Sequence, residues 1–426
     1  MSRSHQLFLN PVSSLYFGPP GAFNAGEDHV GESWFPPPIS SFQGMIRTKL
    51  LQEVGVFNPR ERVADLVGTP DKLPEGWQLT GPFPARYLPN NRFEVWLPAP
   101  AFLLPPMDKH ATTPLFSRQC SPEEEEVMLM DDGMRLNDST NNSEPNRFLS
   151  LAGKPGTAED KPMQGWLSAR NLLWALNPEN SKLQWKPHGC TLHLPPFVFK
   201  ETKSGLAREK ESNNSIMTIT GRPKESMLYF LKRLRFAPLS GLTGSLKLPD
   251  ASPLPDDAAM NHGTLPGGSK GGVVAFEKLT AKDDSWEKII NGDHLVSMEQ
   301  DDPKKPELDM VWITLISPGQ WKSFDNLSSM LKSPEPVSLT IISLVGHAPI
   351  YLGGYNLVKK LPRQAMPWYP AGTSILARLS GGSAEERINY LKELNYSCLL
   401  APEERRPFGY GHILVTAPFN SGGSHA

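Results

Sequence analysis

The sequence predicts an α+β fold in two lobes of similar size. Three observations carry this. Short runs rich in β-branched and aromatic residues recur in both halves, each half interrupts them with single amphipathic helices, and 426 residues suffice for two or three domains with substantial cores. No fixed-period repeat is visible, which excludes a solenoid. Pro and Gly number 43 and 35, together below the share that marks a low-complexity chain.

Near the N-terminus, Asn10 and Pro11 cut short the apolar Leu7 to Leu9, and no run of 18 apolar residues follows, so neither signal peptide nor membrane span is expected. The first informative stretch is residues 33–51, SWFPPPISSFQGMIRTKLL. Three prolines stiffen its start as polyproline II. Ser40 then suits a helix N-cap, with Gln43 three residues on completing a capping box. Phe42, Met45, Ile46, Leu50 and Val54 share one apolar face, and Gly55 stops the helix, which is predicted over 40–54. Such a start offers backbone N–H groups, Gly44 allows close approach, and Arg47 and Lys49 are near, the ingredients of a phosphate seat. The same residues equally suit a plain capped core helix.

Further along, a second helix is predicted over 165–176, and strands over 184–203 and 227–236. Residues 107–160, with an acidic run at 123–126 and an Asn-rich stretch at 137–146, read as an insertion too polar to join a core, and 250–263 as a shorter one. The lobes are expected to divide at residue 240, giving 1–240 and 241–426. In the second, strands are predicted over 310–316, 337–345, 374–379 and 412–417, and a helix over 384–394.

The formal net charge of −2 excludes a uniformly basic nucleic-acid coat but hides segregation along the chain. Residues 336–384 hold no acid, while Lys359, Lys360, Arg363 and Arg378 give +4; residues 222–247 carry +5, and residues 283–309 carry −6. One face for a polyanion is the reading, with solvated faces as the ordinary alternative. Glycines punctuate the acid-free segment at Gly353-Gly354, Gly372 and Gly381-Gly382, and Trp368 and Tyr369 offer rings that either stack on bases or fill a core.

Motifs of catalysis and metal binding are missing from the sequence. The string LPGGSKGG lacks the spacing of a phosphate-binding Walker loop, and no GxSxG, HExxH or CxxC occurs. Cys120, Cys190 and Cys398 form no close pair, so a reducing compartment fits better than a disulfide scaffold. His188, Cys190 and His193 lack a fourth ligand. His29 sits in a loop before the helix as a candidate general base for RNA cleavage, or as a plain loop histidine. No cofactor and no metal are expected.

The stretch GAFNAGEDHVGESWFPPPISSFQGMIRTKLL resembles the opening of the third subunit of the Cmr complex, the type III-B CRISPR RNA-guided effector, a Cas-five-like family of the RAMP superfamily. Its proline run stands at Pro36 to Pro38 and its Gly-x-x-Arg-Thr at Gly44 to Thr48. The resemblance continues through Gly267-Gly268, WITLISPGQW at 312–321, GGYN and YPAGTS within 353–374, and FGYGHILV at 408–415.

The resemblance implies two ferredoxin-like, RRM-type lobes with glycine-rich loops and a non-catalytic scaffold. That scaffold would bind the 5′ tag of a CRISPR RNA (crRNA), near target RNA. Its implied neighbours are the large palm-domain subunit and the backbone subunits, in the cytoplasm and without a membrane. The alternative is a metal-independent RNA-processing endonuclease of the same superfamily acting through His29. Combined with the residue reading, the expected RNA-binding set is Ser40, Ser41, Gln43, Gly44, Arg47 and Lys49 on the first element, and Lys359, Arg363, Gly372 and Arg378 on the second.

Overall fold

The computed structural model describes residues 2–18, 30–56, 63–104, 115–116, 165–175, 190–191, 194–213, 216–249, 262–268, 272–296, 310–356 and 361–416. His29, Lys359, Lys360, His188 and His193 lie outside the described residues, as do nearly all of the 107–160 insertion and residues 250–261 of the shorter one.

The chain is strand-rich, with several antiparallel sheets and few helices. Its largest sheet has eight strands, in the order His262–Pro266, Val273–Lys278, Ser2–Pro11, Ser240–Pro249, Gln78–Leu88, Arg92–Pro98, Trp166–Ser168 and Cys190–Thr191. Alternation along its central strand assigns the two faces. Leu7 and Leu9, wholly buried, join Phe42, Ile46 and Leu50 of the helix Ile39–Glu53. Phe8 between them points the other way, edge-on to Tyr87 and Phe93, into a core shared with Trp312, Leu376 and Leu414 of the second lobe.

The second sheet runs Ser338–Val345, Ser374–Ser380, Met310–Leu315, Ile413–Thr416, every neighbour antiparallel. Here too the period of two divides the work. Val311, Ile313 and Leu315 pack with Leu327, Leu391 and Leu394 from the helices Phe324–Met330 and Ala384–Leu394. Trp312 faces the first lobe and stacks on Phe102 at 4.9 Å. The order through the molecule is therefore helix, eight-stranded sheet, shared core, four-stranded sheet, helix pair. The helix Ala384–Leu394 begins at a complete capping box, Ser383 accepting from the Glu386 N–H at 3.2 Å while the Glu386 carboxylate accepts from the Ser383 N–H at 2.7 Å.

The strands Ser240–Pro249, His262–Pro266 and Val273–Lys278 all follow residue 240 and belong to the eight-stranded sheet, because their partners are Ser2–Pro11 and Gln78–Leu88. Of the strand read at 184–203, Cys190–Thr191 belongs to the eight-stranded sheet and residues 198–203 belong, with the strand read at 227–236, to a longer feature, while 184–189 lie outside the described residues. Val198–Asn213 and Ile216–Phe236 form a long antiparallel hairpin whose base pairs in parallel with Val30–Glu32.

Candidate nucleic-acid interface

The helix Ile39–Glu53 begins one residue before the predicted start. Pro38 is its N-cap, extended at φ −55° and ψ 139°, with no side-chain cap. Its carbonyl accepts from the Ser41 and Phe42 N–H groups at 2.8 and 3.1 Å. The capping box predicted for Ser40 and Gln43 is thus not formed. The fixed φ of Pro38 suits the extended boundary, the chain turns helical directly after it, and Ser40 falls inside the first turn. At the helix start the Ser40 backbone pulls the pKa of the buried Tyr410 hydroxyl down, against the larger upward push of its burial. Gln43 is turned inward, 4% exposed, and its Oε1 has no partner among the described residues.

Among the residues that stay half-buried on this helix, which include Ser41 and Thr48, Ser40, Gly44 and Arg47 form a stripe, one residue per turn on one face. A side chain built at Gly44 would meet nothing within 4 Å. The fold makes no steric demand for glycine there, although glycine in a helix interior costs about 1 kcal/mol relative to alanine. The space above Gly44 is open.

At the end of the stripe the Arg47 Nη2 donates to the Gly68 carbonyl at 2.6 Å, and its buried Nε has no partner among the described residues. Burial, and then the neighbouring Arg363 charge, push the Arg47 guanidinium down to about 10, so it stays cationic at neutral pH. Arg363 arrives from the connection between the strands Ser338–Val345 and Ser374–Ser380. Its N–H donates to the Gly354 carbonyl at 2.8 Å, its Nη2 reaches the Pro70 carbonyl at 3.3 Å, and its Nη1 stands 3.4 Å from Asp71 Oδ1. A third cation, Arg405 beside the short turn Arg406–Phe408, lies 3.8 Å from the same oxygen. Arg405 and Arg363 both pull the Tyr410 hydroxyl down, against the larger upward push of its burial.

The element between them is a tight turn. Gly68 holds φ at +73°, and a Cβ there would fall 2.3 Å from the Lys72 carbonyl oxygen. The Thr69 hydroxyl accepts from the N–H groups of Asp71 and Lys72 at 3.3 and 3.0 Å. The turn thereby presents two carbonyls and one carboxylate to three guanidiniums.

Other predicted residues lie elsewhere. Lys49 is 5% exposed, paired with Glu53 and covered by Gly263 of the strand His262–Pro266; burial lowers its pKa. Gly372 holds φ at +95° where the lobes meet, its carbonyl accepting from the Ala101 N–H at 2.8 Å, and a Cβ there would lie 2.7 Å from the Ala99 oxygen. Its demand for glycine is internal to the fold. Arg378 stands exposed on the strand Ser374–Ser380, opposite Met310 and Thr340. Trp368 is buried against Tyr410 at 4.7 Å, and Tyr369 stacks on Trp321 at 3.9 Å and 6°, so both rings are engaged within the protein.

Sequence reasoning did not single out Asp71, Arg405 or Tyr410 as site residues. The pair Arg405-Arg406, one proline before FGYG, was the available signal. Another is Tyr351, 60% exposed on the strand Ile350–Leu352, two residues before Gly353. Among the described residues no group of three or more His, Cys, Asp or Glu side chains could hold a metal ion, and no helix is long and apolar enough to cross a membrane.

The sequence profile of the family described as "CRISPR-associated protein (Cas_Cmr3)" matches residues 7–418. Among solved structures, the chain is similar to one from the "Cryo-EM structure of the Type III-B Cmr-beta bound to cognate target RNA", at 11% identity and a TM-score of 0.38, covering 93% of this chain and 98% of that one. Among curated proteins no relative matches.

Proposed function

The chain belongs to the Cas_Cmr3 family of CRISPR-associated proteins, and from that premise we propose that it is a non-catalytic, RNA-binding scaffold subunit of a type III-B CRISPR (Cmr) ribonucleoprotein. It holds the 5′ tag of the crRNA, with target RNA nearby, and bridges the large palm-domain subunit to the backbone subunits in the cytoplasm for antiviral defence. The observation that carries this is the approach of Arg47 and Arg363, brought together beside open Gly44 from two segments far apart in sequence. Two buried or half-buried like charges cost stability unless an anion shares them. A backbone phosphate passing over Gly44 is such an anion, and Tyr351 supplies a ring for an adjacent base.

We read both lobes as ferredoxin-like, and strand order supports this. In the second lobe strand, helix, strand, strand, helix, strand are arranged fourth, first, third, second. The first lobe has Val273–Lys278, Ser2–Pro11, Ser240–Pro249 and Gln78–Leu88 in the same order, with the helix Ile39–Glu53 in its first crossover and no helix among the described residues between Ser240–Pro249 and Val273–Lys278.

The test is to incubate the purified chain with labelled repeat-derived RNA. A mobility shift without new fragments is expected. No shift would overturn RNA binding. Fragments that vanish in His29→Ala would replace the scaffold with a nuclease.

A further inference from the structure

We propose that Asp71 is an internal stand-in for an RNA phosphate, occupying the anion position between Arg363 and Arg405 until a single strand displaces it. This rests on the RNA-binding reading above and adds how the site is kept before RNA arrives. The geometry is that of a two-pronged anion site, loosely filled. One Oδ1 serves two guanidiniums, at 3.4 and 3.8 Å, both beyond the 2.7–2.9 Å of a well-formed charged hydrogen bond. The carboxylate that holds them is 57% exposed, while the arginines are 21% and 30% exposed. A group so open leaves by rotation of its own side chain, with no change in the turn that carries it.

A second observation, on the same turn, points to the same ligand chemistry. Arg47, capped on one nitrogen by the Gly68 carbonyl, keeps a buried Nε with no acceptor among the described residues. Two carbonyls and one carboxylate therefore leave a cationic cluster under-satisfied. A phosphodiester brings a full charge and two unesterified oxygens at once, and suits a pair of arginine forks better than one shared oxygen does. The turn itself does not need the carboxylate, because Thr69 closes it through the Asp71 and Lys72 N–H groups. Removing the charge should empty the anion position and leave the fold intact.

The sign of the expected effect is the opposite of that for the arginines. Losing an acid that merely positions Arg363 and Arg405 would weaken RNA binding; losing a competitor strengthens it. The experiment measures binding of a labelled single-stranded RNA carrying the repeat-derived tag by the full chain, by Asp71→Asn and by Asp71→Ala, with thermal melting of each protein without RNA. Both variants should bind about three- to tenfold more tightly, the release of two half-exposed ion pairs, with melting close to the parent. The gain should disappear when Arg363 and Arg405 are also changed to alanine. Weaker or unchanged binding by well-folded variants, or a gain that survives loss of both arginines, would overturn the stand-in and leave RNA binding by the parent untouched. A parent that binds no RNA would overturn both readings.

Discussion

The Arg47 guanidinium lies close enough to that of Arg363 to be depressed by it, and both end on one turn, at the Gly68 and Pro70 carbonyls. This pairing of a helix residue with a residue from the second lobe's long connection defines the site. If the pair receives a strand's phosphates, each arginine contributes one counterion-releasing contact. Changing Arg47 or Arg363 to alanine should lower the salt slope of RNA binding by about 0.7 per residue, with little change in base preference. Titrations between low and moderate salt check this; slopes equal to the parent's in both variants would exclude phosphate contacts here.

Gly44 separates stability from binding. Its Cβ position is open, so Gly44→Ala should raise unfolding stability by about 0.5–1 kcal/mol through helix propensity. The added methyl group should weaken RNA binding by obstructing the close backbone approach. Denaturant unfolding and RNA titration of the same preparation give both numbers. A variant that is more stable and binds as well as the parent would remove Gly44 from the interface.

Gly372 behaves in the opposite way. With φ at +95° and the Ala99 oxygen 2.7 Å from the position of a Cβ, Gly372→Val should destabilise the chain by about 2 kcal/mol or more. Any loss of RNA binding should follow the unfolded fraction. Wild-type melting with reduced RNA affinity would instead assign Gly372 to the interface.

Much of the core was legible because it lies in local periodicity. The apolar face of Ile39–Glu53 states which side is buried, and the nearly continuous apolar run of Met310–Leu315 marks a strand covered on both faces. Ser383 and Glu386 mark the start of Ala384–Leu394 three residues apart. What was hidden depends on distant partners. Ser240–Pro249 joins the first sheet because Ser2–Pro11 pairs with it, and nothing local to residue 240 says so. In the long hairpin Val198–Asn213 is mostly charged and polar, and the apolar residues of Ile216–Phe236 gather mainly at 227–236, so periodicity shows only those portions. At the site, Arg47 and Arg363 stood out by charge and by the glycines near them. Asp71 and Arg405 did not, since a carboxylate and an arginine in separate loops carry no sign that they share an oxygen.

His412 makes stability depend on pH. It is wholly buried, Nε2 meets the Tyr396 carbonyl at 3.1 Å, and burial pushes its pKa down to about 4. An unfolded histidine titrates near 6.5, so the unfolded chain takes up the proton first. The stabilisation from keeping His412 neutral is complete above about pH 6.5 and is lost as pH falls toward 4, by up to about 3 kcal/mol. His294, also depressed by burial, acts in the same direction. His412→Gln should be less stable than the parent at pH 7.5, and the gap should close toward pH 4.5 by chemical unfolding. A gap that stays constant with pH would contradict this.

The most direct measurement of the central claim compares the affinity of the full chain for RNA bearing the repeat-derived 5′ tag with that for RNA of equal length and scrambled tag, in the parent and in Arg47→Ala/Arg363→Ala. The account predicts tighter binding of tagged RNA by the parent, and weaker binding of both RNAs by a double variant that is still folded. Equal affinity of the parent for the two RNAs would contradict tag recognition. An unchanged double variant would contradict the site.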